Sequence, residues 1–291
     1  MAGQLYALAD VGGSKLCTAV WNSDMIPLGM ETMATDPTDY YGTVDTIVET
    51  AQRIADGQGE IVAVSAVEAG ELDEHGRLVR AGELTPWIGT CLGVDLAEAF
   101  DIPQERGGVN NDTAAAALSQ QYINGQNGNA RTGFATTLST GWGGAIYLPA
   151  GEGGVIPDEP GHRFLRNGAV CPCGKPGHAE AHIAGAGVLR NQGVPMEGWL
   201  RDKDNARQFV TDVSESVMRL VERHGDAGIK LEEIRWMGGV ASNQQVLMQA
   251  AYERTRREVG SNTPGWDAMT MGSLAGLHGA YLDARRRAAE A

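Results

Sequence analysis

The feature that most constrains this 291-residue chain is a glycine-marked turn that recurs at three strand ends. The runs are Asp10-Val11-Gly12-Gly13-Ser14-Lys15, Leu138-Ser139-Thr140-Gly141-Trp142-Gly143-Gly144 and Trp236-Met237-Gly238-Gly239-Val240. Around the first, LYALADV and LCTAVWN read as two strands of a hairpin, and GFATTLSTGWGGAIYL reads the same way around the second. A glycine pair between strands is by itself an ordinary hairpin turn. Three such turns suit a triphosphate and its nucleoside, because glycine lets backbone amides approach phosphate without side-chain obstruction. On that reading Asp10 orients magnesium or its waters, and Gly12, Gly13, Ser14, Lys15, Thr140, Gly141, Gly143, Gly238 and Gly239 cradle the nucleotide.

Between the turns the periodicity alternates. Val44, Ile47, Val48, Ala51 and Ile54 fall at helical spacing, and the β-rich run IVAVSAV follows, which predicts a layered α/β arrangement. Asn111 and Asp112 precede the helical run TAAAALSQQY, so Asp112 stands where an N-cap carboxylate is favoured. Ala206 to Val221 forms an amphipathic pattern, and EEIRWMGG resumes a strand. From Asp158 to Glu180 glycine, proline, cysteine and histidine replace periodic apolar residues, and such a segment needs a staple. The length exceeds that of a single core, so two lobes are expected: 1–112, and 113–291 with the stapled loop, the small-residue terminal helix GSLAGLHGAYLDARRRAAEA packing back on the first.

The formal net charge of -14 argues against nucleic acid or an anionic membrane as partner, since both need concentrated Lys and Arg. The opening residues lack a secretory pattern and no apolar run reaches membrane-span length, which predicts a cytoplasmic protein. Of four cysteines, Cys171 and Cys173 lie too close for an ordinary disulfide, and a reducing compartment with one metal site fits them best.

The ordered set DVGGSK, NNDTAAAA, LSTGWGG, EPGH and CPCGKPGHAE resembles the ROK family (repressors, open reading frames and sugar kinases) across nearly the whole chain. The resemblance implies an actin/hexokinase-like (ribonuclease H-like) α/β fold, two lobes around a nucleotide cleft, and the habit of forming homodimers. It implies an ATP- and Mg2+-dependent sugar kinase, with transfer to the 6-hydroxyl of a hexose. The catalytic aspartate of the family falls on Asp112, where phosphoryl transfer needs a carboxylate to accept the hydroxyl proton. Asn111, Glu159, His162 and Glu180 match sugar-contacting positions.

The family's zinc motif falls on Cys171, Cys173 and His178, with His162 as the fourth ligand of a structural Zn2+ and His182 as its rival. Histidine at 178 replaces the usual cysteine, and imidazole is an equally competent zinc ligand. Two departures bear on the sugar. Where the family has a Gly/Ser-Pro-Gly turn this chain reads SAVEAG, with Glu68, and where an asparagine is common it has Glu83. An added carboxylate is better matched to a cation than to a hydroxyl, so an amino sugar such as kanosamine is one expectation; the other is that both glutamates turn to solvent. Repressors of the family place a DNA-binding domain ahead of the first glycine motif, and with that motif opening at Asp10 a repressor is not the expectation. A catalytically silent sugar sensor is the remaining alternative, and an actin-like ATPase acting on protein partners has no use for the EPGH and zinc elements.

Overall fold

The computed structural model describes residues 3–291, the side chain of Ser273 excepted. It divides into two compact units, Met1–Ser119 with Leu274–Ala291, and Gln120–Ser273. No described helix is long and apolar enough to cross a membrane.

In the first unit the order is β1 (Gly3–Val11), β2 (Lys15–Asn22), β3 (Pro27–Ala34), α1 (Tyr40–Ala55), β4 (Gly59–Glu68), the small hairpin β5 (Glu71–Leu72) and β6 (Leu78–Arg80), α2 (Leu92–Ala99), β7 (Gly107–Asn111) and the opening turns of α3 (Asp112–Gln126). The sheet runs β3-β2-β1-β4-β7. Its β3-β2-β1 half is antiparallel and its β1-β4-β7 half parallel. The central strand β1 is apolar on both faces because both are covered. Leu5, Ala7, Ala9 and Val11 point to the cluster containing Val44, Ile47 and Ala51 of α1 and Leu92 and Leu96 of α2. Tyr6 and Leu8 point the other way, to Leu277, Tyr281 and Ala284 of the terminal helix. Asp39 caps α1 by accepting from the Gly42 amide at 2.9 Å.

The second unit follows the same plan: β8 (Gly133–Leu138), β9 (Trp142–Tyr147), β10 (Val155–Asp158), short helices α4 (Glu180–Ile183), α5 (Gly185–Gln192) and α6 (Met196–Trp199), the long α7 (Lys203–Asp226), β11 (Glu233–Met237), α8 (Gly239–Asn243), α9 (Gln245–Val259) and β12 (Gly265–Ala268). The strand order β10-β9-β8-β11-β12 repeats that of the first unit, antiparallel on one side and parallel on the other. Phe209, Val213, Val217 and Leu220 of α7 form the apolar stripe that packs with Phe134, Ile146 and Ile234 of the sheet. Asp202 caps α7 through the amides of Asp204 and Asn205. Among the acids buried in this unit, Glu233 accepts from Tyr147 Oη at 2.7 Å, Asn124 Nδ2 at 2.6 Å and Arg235 at 2.7 Å. Finally α10 (Ala275–Glu290) belongs to the first unit, where it lies on β1 and β4.

Candidate active site and metal centre

In the first unit the parallel strands end together. Val11 pairs with Glu68 and Glu68 with Asn111, so Asp10, Glu68, Asn111 and Asp112 converge on the carboxyl edge of the sheet, where open α/β sheets present their ligands. Burial first, then the neighbouring Asp112, push the Asp10 carboxyl up to about 6, against the pull of Lys15. The protein packed around Asp112 likewise raises its carboxyl, although the Thr113 amide donates to Oδ1 at 2.8 Å.

Helix capping departs from the sequence reading. Asn111, not Asp112, makes the longer-range cap: its Oδ1 accepts from the Ala114 amide at 2.7 Å and the Thr113 hydroxyl at 3.3 Å. Both residues are side-chain acceptors at one helix start, and only the backbone path decides which reaches the third amide. The Asp112 carboxylate is thereby left with only short local backbone contacts, to the Thr113 amide and its own.

The turn after β1 is a closed hairpin, and the Gly12 amide is used inside it, donating to the Lys15 carbonyl at 2.9 Å. A phosphate in this turn therefore has to be met by amides beyond Gly12; Ser14 and Lys15 are exposed there. Glu83 is also exposed and lies against Gly13, in the space a side chain at Gly13 would need. Glu68 is different. It is fully buried, neither carboxylate oxygen has a hydrogen-bond partner, and burial pushes the carboxyl up to about 7. The expectation that both glutamates turn to solvent fails for Glu68, because β4 runs to its last residue between two neighbouring strands and carries the side chain with it.

In the second unit the turn between β8 and β9 holds Thr140, Gly141 and Gly143, and Gly238 follows β11. Gly238 has φ +97°, and a Cβ there would stand 2.6 Å from the Leu138 carbonyl, so the turn admits glycine alone. Glu180 joins this turn to the cysteine loop. Its Oε2 accepts from the Trp142 amide at 3.0 Å, and its Oε1 lies 3.5 Å from Cys171 Sγ and 3.7 Å from His162 Nε2. Burial alone would raise the Glu180 carboxyl, but His162 and the Trp142 amide outweigh it and hold it low. Glu159 stands on the other side of the imidazole, 3.8 Å from Nδ1. Glu159, His162 and Glu180 are thus one contiguous group.

The residues of the loop fit a zinc ion. His162, Cys171 and Cys173 each bring a ligand atom within 4.8 Å of the others, and His178 Nδ1 lies 3.3 Å from Cys173 Sγ. Two thiols and two imidazoles are a tetrahedral donor set. Beside these ligands lies a small buried cluster of Ala169, Cys171 and Ala181, while Leu165 and Ala179 of the same loop pack into the main core. His182, the rival ligand, is engaged otherwise: its buried ring makes a 3.0 Å hydrogen bond to the Arg166 carbonyl. Asn191, which no sequence signal marks, ties Val170 from both sides, accepting at 2.9 Å and donating at 3.0 Å.

These features define a duplicated ribonuclease H-like α/β protein with acids at one sheet edge and a cysteine-histidine knuckle. The ROK family profile matches residues 6–228, and the chain belongs to the ROK family. It is 29% identical to the glucokinase of Streptomyces coelicolor over 62% of this chain and 56% of that protein, so it matches little more than half of that relative's length. It is 23% identical to an N-acetylgalactosamine kinase of Shewanella over 96% of both chains. The ROK hexokinase of Thermus thermophilus superposes with a TM-score of 0.78 at 25% identity, covering 99% of this chain and 100% of that one.

Proposed function

We propose that the protein is an ATP-dependent sugar kinase that phosphorylates a hexose or amino-hexose at its 6-hydroxyl. The observation that carries this reading is the carboxyl edge of the first sheet, where Asp112 opens α3 with its carboxyl raised by burial against the pull of local backbone amides. The names of the similar proteins, glucokinase, N-acetylgalactosamine kinase and hexokinase, support the same class.

When bound, Mg-ATP supplies the phosphoryl group and neutralises its charge. The sugar hydroxyl oxygen forms a bond to the γ-phosphorus as the bond to the β-bridging oxygen breaks, and ADP leaves. Asp112 accepts the hydroxyl proton; a carboxyl whose proton affinity is raised is the better base for it. Asn111 offers its NH2 group to a neighbouring hydroxyl. Glu159, His162 and Glu180 hold further hydroxyls, and zinc on His162, Cys171, Cys173 and His178 is structural, fixing the loop that carries them.

The acceptor favoured is one with a free amine, kanosamine rather than glucose. A buried carboxylate without donors is costly, and an ammonium group is the partner that offsets that cost most completely. Glu68 supplies that carboxylate, with Glu83 the outer candidate. Coupled ADP release with Mg-ATP across glucose, mannose, N-acetylated hexosamines, glucosamine and kanosamine tests both levels, with Asp112→Asn as blank. Turnover at least tenfold more efficient on a free amino sugar, with that ratio lost in Glu68→Gln, is expected. Equal ratios in wild type and variant remove the amine; no turnover on any sugar despite bound ATP removes the kinase in favour of a silent sensor.

A further inference from the structure

Between the Asp158–Glu180 loop and α7, the second unit carries a shallow cleft lined by three arginines, Arg163, Arg219 and Arg223, together with Trp142 and Leu220. Three arginines in one cleft are notable in a chain with 23 basic and 37 acidic residues. Ser216, Arg219 and Arg223 stand at positions three and four apart on α7, so they share one face of the helix. Arg163 enters from the loop just after His162.

Charge within the cleft is only partly balanced. Among the described residues the ion pairs of these guanidiniums run to the single carboxylate of Asp158, which pairs with Arg223 and, at 3.4 Å, with Arg163. The same carboxylate also meets His224 at 3.1 Å. Arg219 donates instead to a neutral partner, the Phe164 carbonyl, at 2.8 Å. The hydroxyl of Ser216, a residue 94% buried by its 6% exposure, lines the cleft with no hydrogen-bond partner. An unpaired buried hydroxyl beside guanidiniums with donors to spare is a set of groups lacking its acceptor.

We propose that this cleft is a binding site for a phosphate group, either free inorganic phosphate or the phosphate of a small phosphorylated sugar. The guanidinium fork matches phosphate oxygens two at a time, Ser216 provides a further donor, and the half-open mouth of the cleft leaves the rest of a phosphomonoester in solvent. None of its side chains belongs to the proposed kinase machinery, and Arg163 rides on the loop that carries His162.

The test is isothermal titration of the full-length protein with inorganic phosphate and, separately, glucose 6-phosphate, with Mg-AMPPNP saturating so that the nucleotide turns are filled. Binding to the wild type is expected, at least tenfold weaker in Arg219→Met and about threefold weaker in Ser216→Ala, with Arg219→Lys between. Arg219→Met keeps the aliphatic stem, so its melting temperature without phosphate should match wild type and separate lost binding from lost fold. Tighter binding of glucose 6-phosphate than phosphate assigns the cleft to a sugar phosphate, and equal binding assigns it to the free ion. No binding, or binding unchanged in Arg219→Met, overturns the proposal.

Discussion

Glu68 and Glu180 are both buried glutamates in units that share one strand order, yet they are held in opposite ways. At the carboxyl edge of the first sheet, Glu68 has no donor on either oxygen and its proton is held up to about 7. Asp10, beside it, is raised to about 6. In the second unit Glu180 accepts from the Trp142 amide and faces His162 and Cys171, and its carboxyl is held low. A scaffold of one topology therefore carries one buried acid without donors and another already hydrogen-bonded within its loop. Burial decides neither fate; the supply of donors does.

The largest effect should come from breaking the second arrangement. Cys171→Ser is expected to lower bound zinc from one ion per chain to below a tenth, read by atomic absorption after dialysis, with a melting temperature lower by about 10 °C. Full zinc retention would show that the knuckle is held by something else. Metal removal by a chelator should reproduce the variant.

Next comes a direct contrast, Glu68→Leu against Glu180→Leu, in urea unfolding without ligands. For Glu68 the folded carboxyl holds its proton above the ordinary value of 4.5, so its stabilising effect is complete below 4.5 and is lost as pH rises through about 7. That interval corresponds to about 3 kcal/mol. Glu68→Leu should therefore raise stability at pH 7.5 by up to about 3 kcal/mol and flatten the fall of stability between pH 4.5 and 7. Glu180→Leu strands the Trp142 amide and should cost about 2 kcal/mol. Effects of the same sign would end the contrast.

The smallest effects belong to features the units share. Asp39→Ala at α1 and Asp202→Ala at α7 each remove one N-cap and should cost about 1 kcal/mol, seen as similar small drops in melting temperature. A marked inequality would mean that the two scaffolds are less alike than their strand orders.

Much of this was open to reading from the residues. The alternation of LYALADV, the 3.6-residue spacing around Ile47 and the glycine turns are local signals, and the strands and helices they imply are present. Sequence order also revealed the family. What escaped depends on contacts between distant positions. The burial of Glu68 follows from its place between β1 and β7, which its own neighbours SAVEAG do not encode. Asn111 and Asp112 are adjacent cap-formers, and only the backbone chooses between them. Asp158, Arg223 and His224 meet across a long separation, and Asn191 clasps the cysteine loop from a helix 21 residues beyond Val170. Neither has a local signature.

The central proposal is that Asp112, at the carboxyl edge of the first sheet, is the base that accepts a sugar's hydroxyl proton. The steady-state kcat of Asp112→Asn with Mg-ATP and the best acceptor, measured on protein whose zinc content and melting temperature are determined in parallel, tests it most directly. The account predicts a kcat lower by about a thousandfold with zinc and melting temperature unchanged. A kcat within fivefold of wild type would contradict it.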